Sequence, residues 1–177
     1  MSRQKASERL AWAVDVLDVG PGNRLLEVGC GHGVAVSLVC EKLDGGHITA
    51  IDRSAKMIEA ARKRNARCVA TGVASFQTAS LHEAGFGDAL FDKIFAIHVP
   101  VLLRGRPGRE LEIIGQRLAP GGGFYLPFQP LDPEQAKPTT ERLATMLESH
   151  GFRVRDTLVK DLSIARVGCV IAGKGPL

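Results

Sequence analysis

The stretch LLEVGCGHG, residues 25–33, constrains this chain more than any other. An apolar run that stops at a glycine reads as a short buried strand, here residues 24–28, and the glycines at 29, 31 and 33 do not continue it. The residues from His32 to Leu43 then read as a helix. A strand, a glycine turn and a helix in that order open a parallel strand–helix–strand unit. Such a turn presents backbone N–H groups at the helix N-terminus, which favours anions and close approach of a ligand to the backbone.

The rest of the chain keeps up the alternation. Residues 7–19 read as an amphipathic helix, with Leu10, Val14 and Leu17 at helical spacing, stopped by Pro21-Gly22. A second strand spans 47–51, and Ser54 is placed to cap a helix running to about Arg67. Strands follow at 73–78 and 91–98, then a helix at 107–118 with Pro107 in its first turn. Pro120-Gly121-Gly122-Gly123 breaks the chain before a fifth strand at 124–128. A proline-rich loop leads to a helix at 140–150, ended by Gly151, and 152–160 and 164–172 form a last antiparallel pair. The expected class is α/β: a doubly wound, mostly parallel seven-stranded sheet closed by a C-terminal antiparallel strand pair. At 177 residues the chain suits one domain over 1–177, with an N-terminal helix in 1–20 and the sheet core in 21–177.

Composition removes several classes. No apolar run approaches the roughly 20 residues of a membrane span, and the N-terminus MSRQKASERL lacks the apolar segment of a signal peptide, so a cytoplasmic location without membrane attachment is expected. A net charge of +4 permits an anionic partner without demanding one. Cys30, Cys40, Cys68 and Cys169 are scattered, with no CxxC pair, so reduced thiols and no metal are expected.

Three ligands compete for the glycine turn. A nucleoside triphosphate needs GxxxxGK[ST], and that lysine is absent. A dinucleotide needs GxGxxG, but the spacing here is GxGxG and Val34 occupies the third glycine's place. S-adenosylmethionine has no phosphate; it brings a sulfonium, an ammonium and a carboxylate, so an acid beside the turn is useful, and Glu27 is such an acid. Asp52 ends the second strand about twenty residues past the turn, where an acid accepts from ribose hydroxyls in either kind of nucleoside site. The bland alternative for Asp52 is a strand-end cap for the next helix.

LLEVGCGHG, ITAIDRSAKMIEAARKR, FDKIFAIHV and RLAPGGGFYL, in that order, resemble the successive motifs of class I S-adenosylmethionine-dependent methyltransferases, nearest the small-molecule type labelled 11 or 25. The tail, GFRVRDTLVKDL then ARVGCVIAGK, resembles the closing strand pair of that Rossmann-like fold. The resemblance implies methyl transfer from S-adenosylmethionine to a small-molecule acceptor, leaving S-adenosylhomocysteine. It puts Glu27 near the methionine end of the cofactor, the backbone of Gly29, Cys30 and Gly31 against it, Asp52 on the ribose, and Arg53 and Met57 beside the adenine. Met57 also suits a helix core. Ile97, at the end of the fourth strand, joins the cofactor set. In one place the chain departs from the pattern: Ser80 stands where family members often carry an Asp for the adenine amine, and Leu81 follows with an N–H for a ring nitrogen.

His98 ends the fourth strand, where the family places its methyl acceptor, and is the candidate catalytic base or orienting group. A cofactor-wall or capping histidine is the competing reading. His32 borders the same pocket or lies outside it. Arg104, Arg106 and Arg109 suit either an anionic substrate or plain solvation, and Arg62, Lys63, Arg64 and Arg67 read as a wet helix face. The chain lacks the (Asp/Asn)-Pro-Pro-(Tyr/Phe) motif of many amine-directed nucleic-acid and protein methyltransferases, which disfavours nucleic acid as a partner without excluding it. Trp12 and Phe128 are candidate walls of the substrate side, with core packing the equal alternative for either, and an open pocket leaves room for a second subunit in a homodimer. RNA or protein methylation, cofactor binding without transfer, and NAD-dependent chemistry are the alternatives to set against small-molecule methylation.

Overall fold

The computed structural model describes residues 7–175. Residues 1–6, which carry most of the N-terminal segment read above for a signal peptide, and residues 176–177 lie outside it. In chain order the elements are α1 (Glu8–Val16), β1 (Arg24–Val28), α2 (Val34–Cys40), β2 (His47–Asp52), α3 (Ala55–Arg64), α4 (Ala66–Ala70), β3 (Ala74–Thr78), β4 (Phe91–Ala96), α5 (Pro100–Arg104), α6 (Gly108–Arg117), β5 (Leu118–Phe128), α7 (Ala136–Ser149), β6 (Phe152–Asp161) and β7 (Arg166–Lys174). The strands form one seven-stranded sheet in the order β3-β2-β1-β4-β5-β7-β6. β1 to β5 pair in parallel, and β7 runs antiparallel to both β5 and β6. The expected doubly wound sheet with its antiparallel close is thus the sheet observed. No helix among the described residues is long and apolar enough to cross a membrane.

Alternation along the strands divides the core into two layers. Leu26 and Val28 of β1 face one cluster with Ile94, Phe124 and, from α6 and α7, Ile114 and Leu143. Leu25 faces the other, with Ile48 and Phe95 from the sheet, Val14 from α1, Val36 from α2 and Ile58 from α3. Glu27 shares the pleat face of Leu25, which sends a carboxylate into the second layer. The strand order reverses between β1 and β4, and in open sheets ligands bind beyond the carboxyl ends of the strands at such a point. The glycine turn after β1 and the Ile97-His98 pair after β4 flank it.

Several boundaries differ from expectation. β4 stops at Ala96, because His98 takes a left-handed φ of 56° that cannot extend a ladder. Pro100 then starts α5, a short helix that the sequence reading missed, using the proline at its first position where no N–H is required. β5 takes in the PGGG segment rather than starting after it: its register against β4 jumps from Phe91↔Leu118 to Lys93↔Gly123, a bulge that absorbs the glycines. α7 begins at Ala136, ahead of the expected 140, since Pro138 lies in the first turn, whose N–H groups have no helical partner anyway. The helix expected to run from Ser54 to Arg67 is broken at Asn65, a buried residue whose side chain has other partners.

Candidate active site

The three glycines of the turn have different tasks. All have positive φ: 74° at Gly29, 51° at Gly31 and 74° at Gly33. A Cβ on Gly33 would lie 2.8 Å from Asn65 Nδ2 and 2.9 Å from the Ala61 Cβ, so its bareness lets α2 pack against α3. Asn65 completes that junction: its Nδ2 donates to Gly33 O and Ala61 O at 3.0 Å each, and its Oδ1 accepts from Ser37 Oγ at 2.7 Å. A Cβ on Gly29 would meet Val99 at 2.7 Å, so this glycine admits the loop after β4. Gly31 alone of the three has open space at its Cα, with nothing within 4 Å, and it is where a ligand can approach the backbone.

Two acids bracket this turn. Asp52 Oδ2 accepts from Gly31 N and its Oδ1 from Ser54 N, both at 2.9 Å. The carboxylate therefore fastens the glycine turn to the start of α3, as the cap reading anticipated. Each oxygen keeps a further lone pair for a ligand hydroxyl. Glu27 is 3% exposed, and its Oε2 is the one buried side-chain oxygen or nitrogen without a hydrogen-bond partner among the described residues. Burial, and then the charge of Asp52, push its carboxyl up to about 8. An orphaned buried carboxyl oxygen next to a second acid suits a ligand cation, and the ammonium of S-adenosylmethionine is such a group. Cys30 is buried beside both acids, which together with desolvation hold its thiol neutral.

Beside Asp52, past the end of β3, Ser80 carries a partner that sequence reasoning missed. Ser80 Oγ donates to Glu83 Oε2 at 2.7 Å, and Ser80 N donates to the same oxygen at 3.1 Å. These bonds, and more weakly the charges of Arg53 and His82, hold the Glu83 carboxyl below the usual range. A carboxylate therefore stands against position 80, from the exposed Glu83. The S-x-x-E spacing of a capping box was the available signal. Leu81 is buried, Met57 is half-buried with its N–H on Ser54 Oγ at 3.3 Å, and Arg53 is exposed.

His98 and Ile97 border a shallow cleft that is open to solvent. Trp12, Phe128 and Val167 supply apolar wall, and Phe128, 4% exposed, is at the same time a member of the core, as the packing alternative had it. Arg9 and Gln129 complete its polar lining, and Arg9 Nη1 donates to Gln129 Oε1 at 3.2 Å. Burial, then the charges of Arg9 and Arg104, lower the pKa of the His98 imidazole, which is therefore neutral at pH 7. The left-handed backbone at His98 costs about 1–2 kcal/mol for a residue with a Cβ; it turns the chain from β4 towards α5. His32 is exposed. Of the supposedly wet arginines, Arg62 donates to Phe76 O at 2.7 Å and Arg64 to His32 O at 3.2 Å, so these two fasten α3 to β3 and to the glycine turn.

Comparison with known proteins agrees with this architecture. The family profile described as a methyltransferase domain matches residues 25–122. The chain is 30% identical over 166 residues to an O-methyltransferase of Pyrenophora dematioidea, a match covering 84% of this chain and 61% of that protein. It is 29% identical over 143 residues to phosphoethanolamine N-methyltransferase 1 of Zea mays, covering 81% of this chain and 27% of the relative. The chain thus spans about a quarter to three fifths of the length of these curated relatives. A solved S-adenosylmethionine-dependent methyltransferase from Aquifex aeolicus shares the fold with a TM-score of 0.75 at 19% identity, over 94% of this chain and 93% of that one. With the profile running from the glycine turn to the start of β5, over more than half of its length, the chain belongs to the class I S-adenosylmethionine-dependent methyltransferases.

Proposed function

We propose that this chain binds S-adenosylmethionine along the crevice after β1 and β2 and transfers its methyl group to a small-molecule acceptor beside His98. The observation that carries the reading is the buried, unpartnered Oε2 of Glu27, which calls for a cation. When bound, the cofactor supplies a methyl on a sulfonium, whose leaving group departs neutral. Glu27 would bind the ammonium, giving up its own proton as it does so. Asp52 would accept from the ribose hydroxyls with lone pairs not used by Gly31 and Ser54. Met57, Leu81 and the Ser80–Glu83 pair would border the adenine, and Ile97 would line the side of the cofactor next to the acceptor.

In-line displacement asks mainly for alignment and exclusion of water. A neutral His98 imidazole would take the proton of a hydroxyl or ammonium nucleophile. The O- and N-methyltransferases among the relatives support acceptors of either kind. The mostly apolar lining of the cleft, with a few polar groups at one side, favours a small acceptor over a nucleic acid. All four cysteines are free, in keeping with a reducing compartment such as the cytoplasm.

Calorimetry with S-adenosylmethionine, S-adenosylhomocysteine and NAD tests the cofactor: the first two should bind and NAD should not. Labelled methyl transfer to a panel of phenols, amines and carboxylic acids tests the reaction. His98→Ala should bind cofactor normally and lose turnover, and undiminished turnover would remove His98 from the mechanism.

A further inference from the structure

The cleft beside His98 is rich in donors and lacks acids. Arg9, Gln129 and His98 are its polar members, and no Asp or Glu lines it. Because Gln129 Oε1 already accepts from Arg9, the end of that amide left for a ligand is its NH₂. Glu8, the neighbouring acid on α1, is turned away, accepting from Ser163 N at 3.0 Å and Ser163 Oγ at 3.2 Å. Neither Arg9 nor Arg104 has a carboxylate within ion-pair distance among the described residues. After burial, which is the larger cause, the charges of Arg9 and Arg104 also lower the pKa of the His98 imidazole, so both guanidinium groups lie within electrostatic reach of it. The other walls, Trp12, Ile97, Phe128 and Val167, are apolar.

We infer that the acceptor carries an anionic group, held by Arg9 with the Gln129 amide, on an apolar body seated against Trp12 and Phe128. This names the substrate class for the site beside His98 and rests on the reading of that site given above. A charge-assisted hydrogen bond to an arginine is stronger than one between neutral groups, and it is stronger still beside low-dielectric walls. Arg104, Arg106 and Arg109 lie outside its lining, which leaves Arg9 as its one guanidinium.

The experiment titrates 4-hydroxybenzoate and its neutral isostere 4-hydroxybenzamide into the chain saturated with S-adenosylhomocysteine. The benzoate should bind about tenfold or more tightly than the amide. Arg9→Gln should cut that preference below about threefold while leaving the amide's affinity nearly unchanged, and Arg9→Lys should keep most of it. If Arg9 only staples α1 to the loop after β5, Arg9→Gln will shift both probes together and leave their ratio intact, which overturns the inference. Should Arg9→Gln not fold, Gln129→Ala and a salt titration of the unaltered chain decide instead, since the preference must shrink in both. Equal or tighter binding of the amide, or no binding of the benzoate at about 10 mM, also overturns it. So does a single-stranded oligoribonucleotide that outcompetes the benzoate, which would make these cations a nucleic-acid surface. S-adenosylhomocysteine binding, measured on the same sample, separates the two levels. If the product binds without any charge preference in the cleft, only this inference fails; if the product does not bind, the proposed function fails.

Discussion

Removing the Glu27 carboxyl, or changing its protonation, should reveal itself as protons exchanged on cofactor binding. With a pKa raised to about 8, close to nine tenths of the free chain carries a proton on Glu27 at pH 7. A ligand ammonium against Oε2 stabilises the carboxylate, so that proton must leave. S-adenosylhomocysteine binding should therefore release about 0.9 proton at pH 7, and its log affinity should climb by nearly one per pH unit from about pH 6 to 7. Below about pH 7 an α-amine remains mostly protonated, so the ligand adds little of its own to that slope. Calorimetry in buffers of different ionisation enthalpy counts the protons directly. Glu27→Gln should abolish the release and flatten the pH dependence. It should also weaken binding about 10- to 150-fold, the worth of a hydrogen bond between charged groups. If the unaltered chain releases no proton between pH 6 and 7, Glu27 is either already ionised or not facing the ammonium, and the reasoning from its orphaned oxygen fails.

Three further outcomes follow from the same geometry. Because the folded pKa of Glu27 lies above its ordinary value near 4.5, its contribution to stability is complete below that value and is lost as pH rises through about 8. Urea unfolding of the ligand-free chain should show stability falling over that window by up to about 5 kcal/mol, and Glu27→Gln should remove most of the fall. Gly31→Ala, with nothing within 4 Å, should cost only the roughly 1–2 kcal/mol of its φ of 51° yet sharply weaken cofactor binding; Gly33→Ala, 2.8 Å from Asn65 Nδ2, should cost about 2–4 kcal/mol in thermal unfolding. His98→Gly and His98→Ala should both lose turnover, but only glycine relaxes the φ of 56°, so it should be the more stable of the two by roughly 0.5–1 kcal/mol in urea.

The sheet could be read from the chain because its signals are local. Short apolar runs ended by glycine or aspartate mark buried strands, and Ser54 marks a helix start, with its Oγ accepting from Met57 N at 3.3 Å. The turn at Gly29–Gly33 and the acid at Asp52 were legible for the same reason. Boundaries failed where a single residue's backbone overrode the pattern, as at His98, or where a side chain took over helical carbonyls, as Asn65 does with Ala61 O.

By itself, then, the sequence determined the element order, the glycine turn and the presence of acids on either side of it, since each is carried by residues close together along the chain. Tertiary structure alone decided the chemistry of those acids. Glu27 is an ordinary glutamate until two packed layers and Asp52 raise its pKa to about 8. Arg9 and Gln129, separated by 120 positions, join across the His98 cleft only once α1 lies beside the end of β5. Burial, potential and contacts between distant residues exist only when the chain has closed, and the protonation states and charge of the site depend on all three.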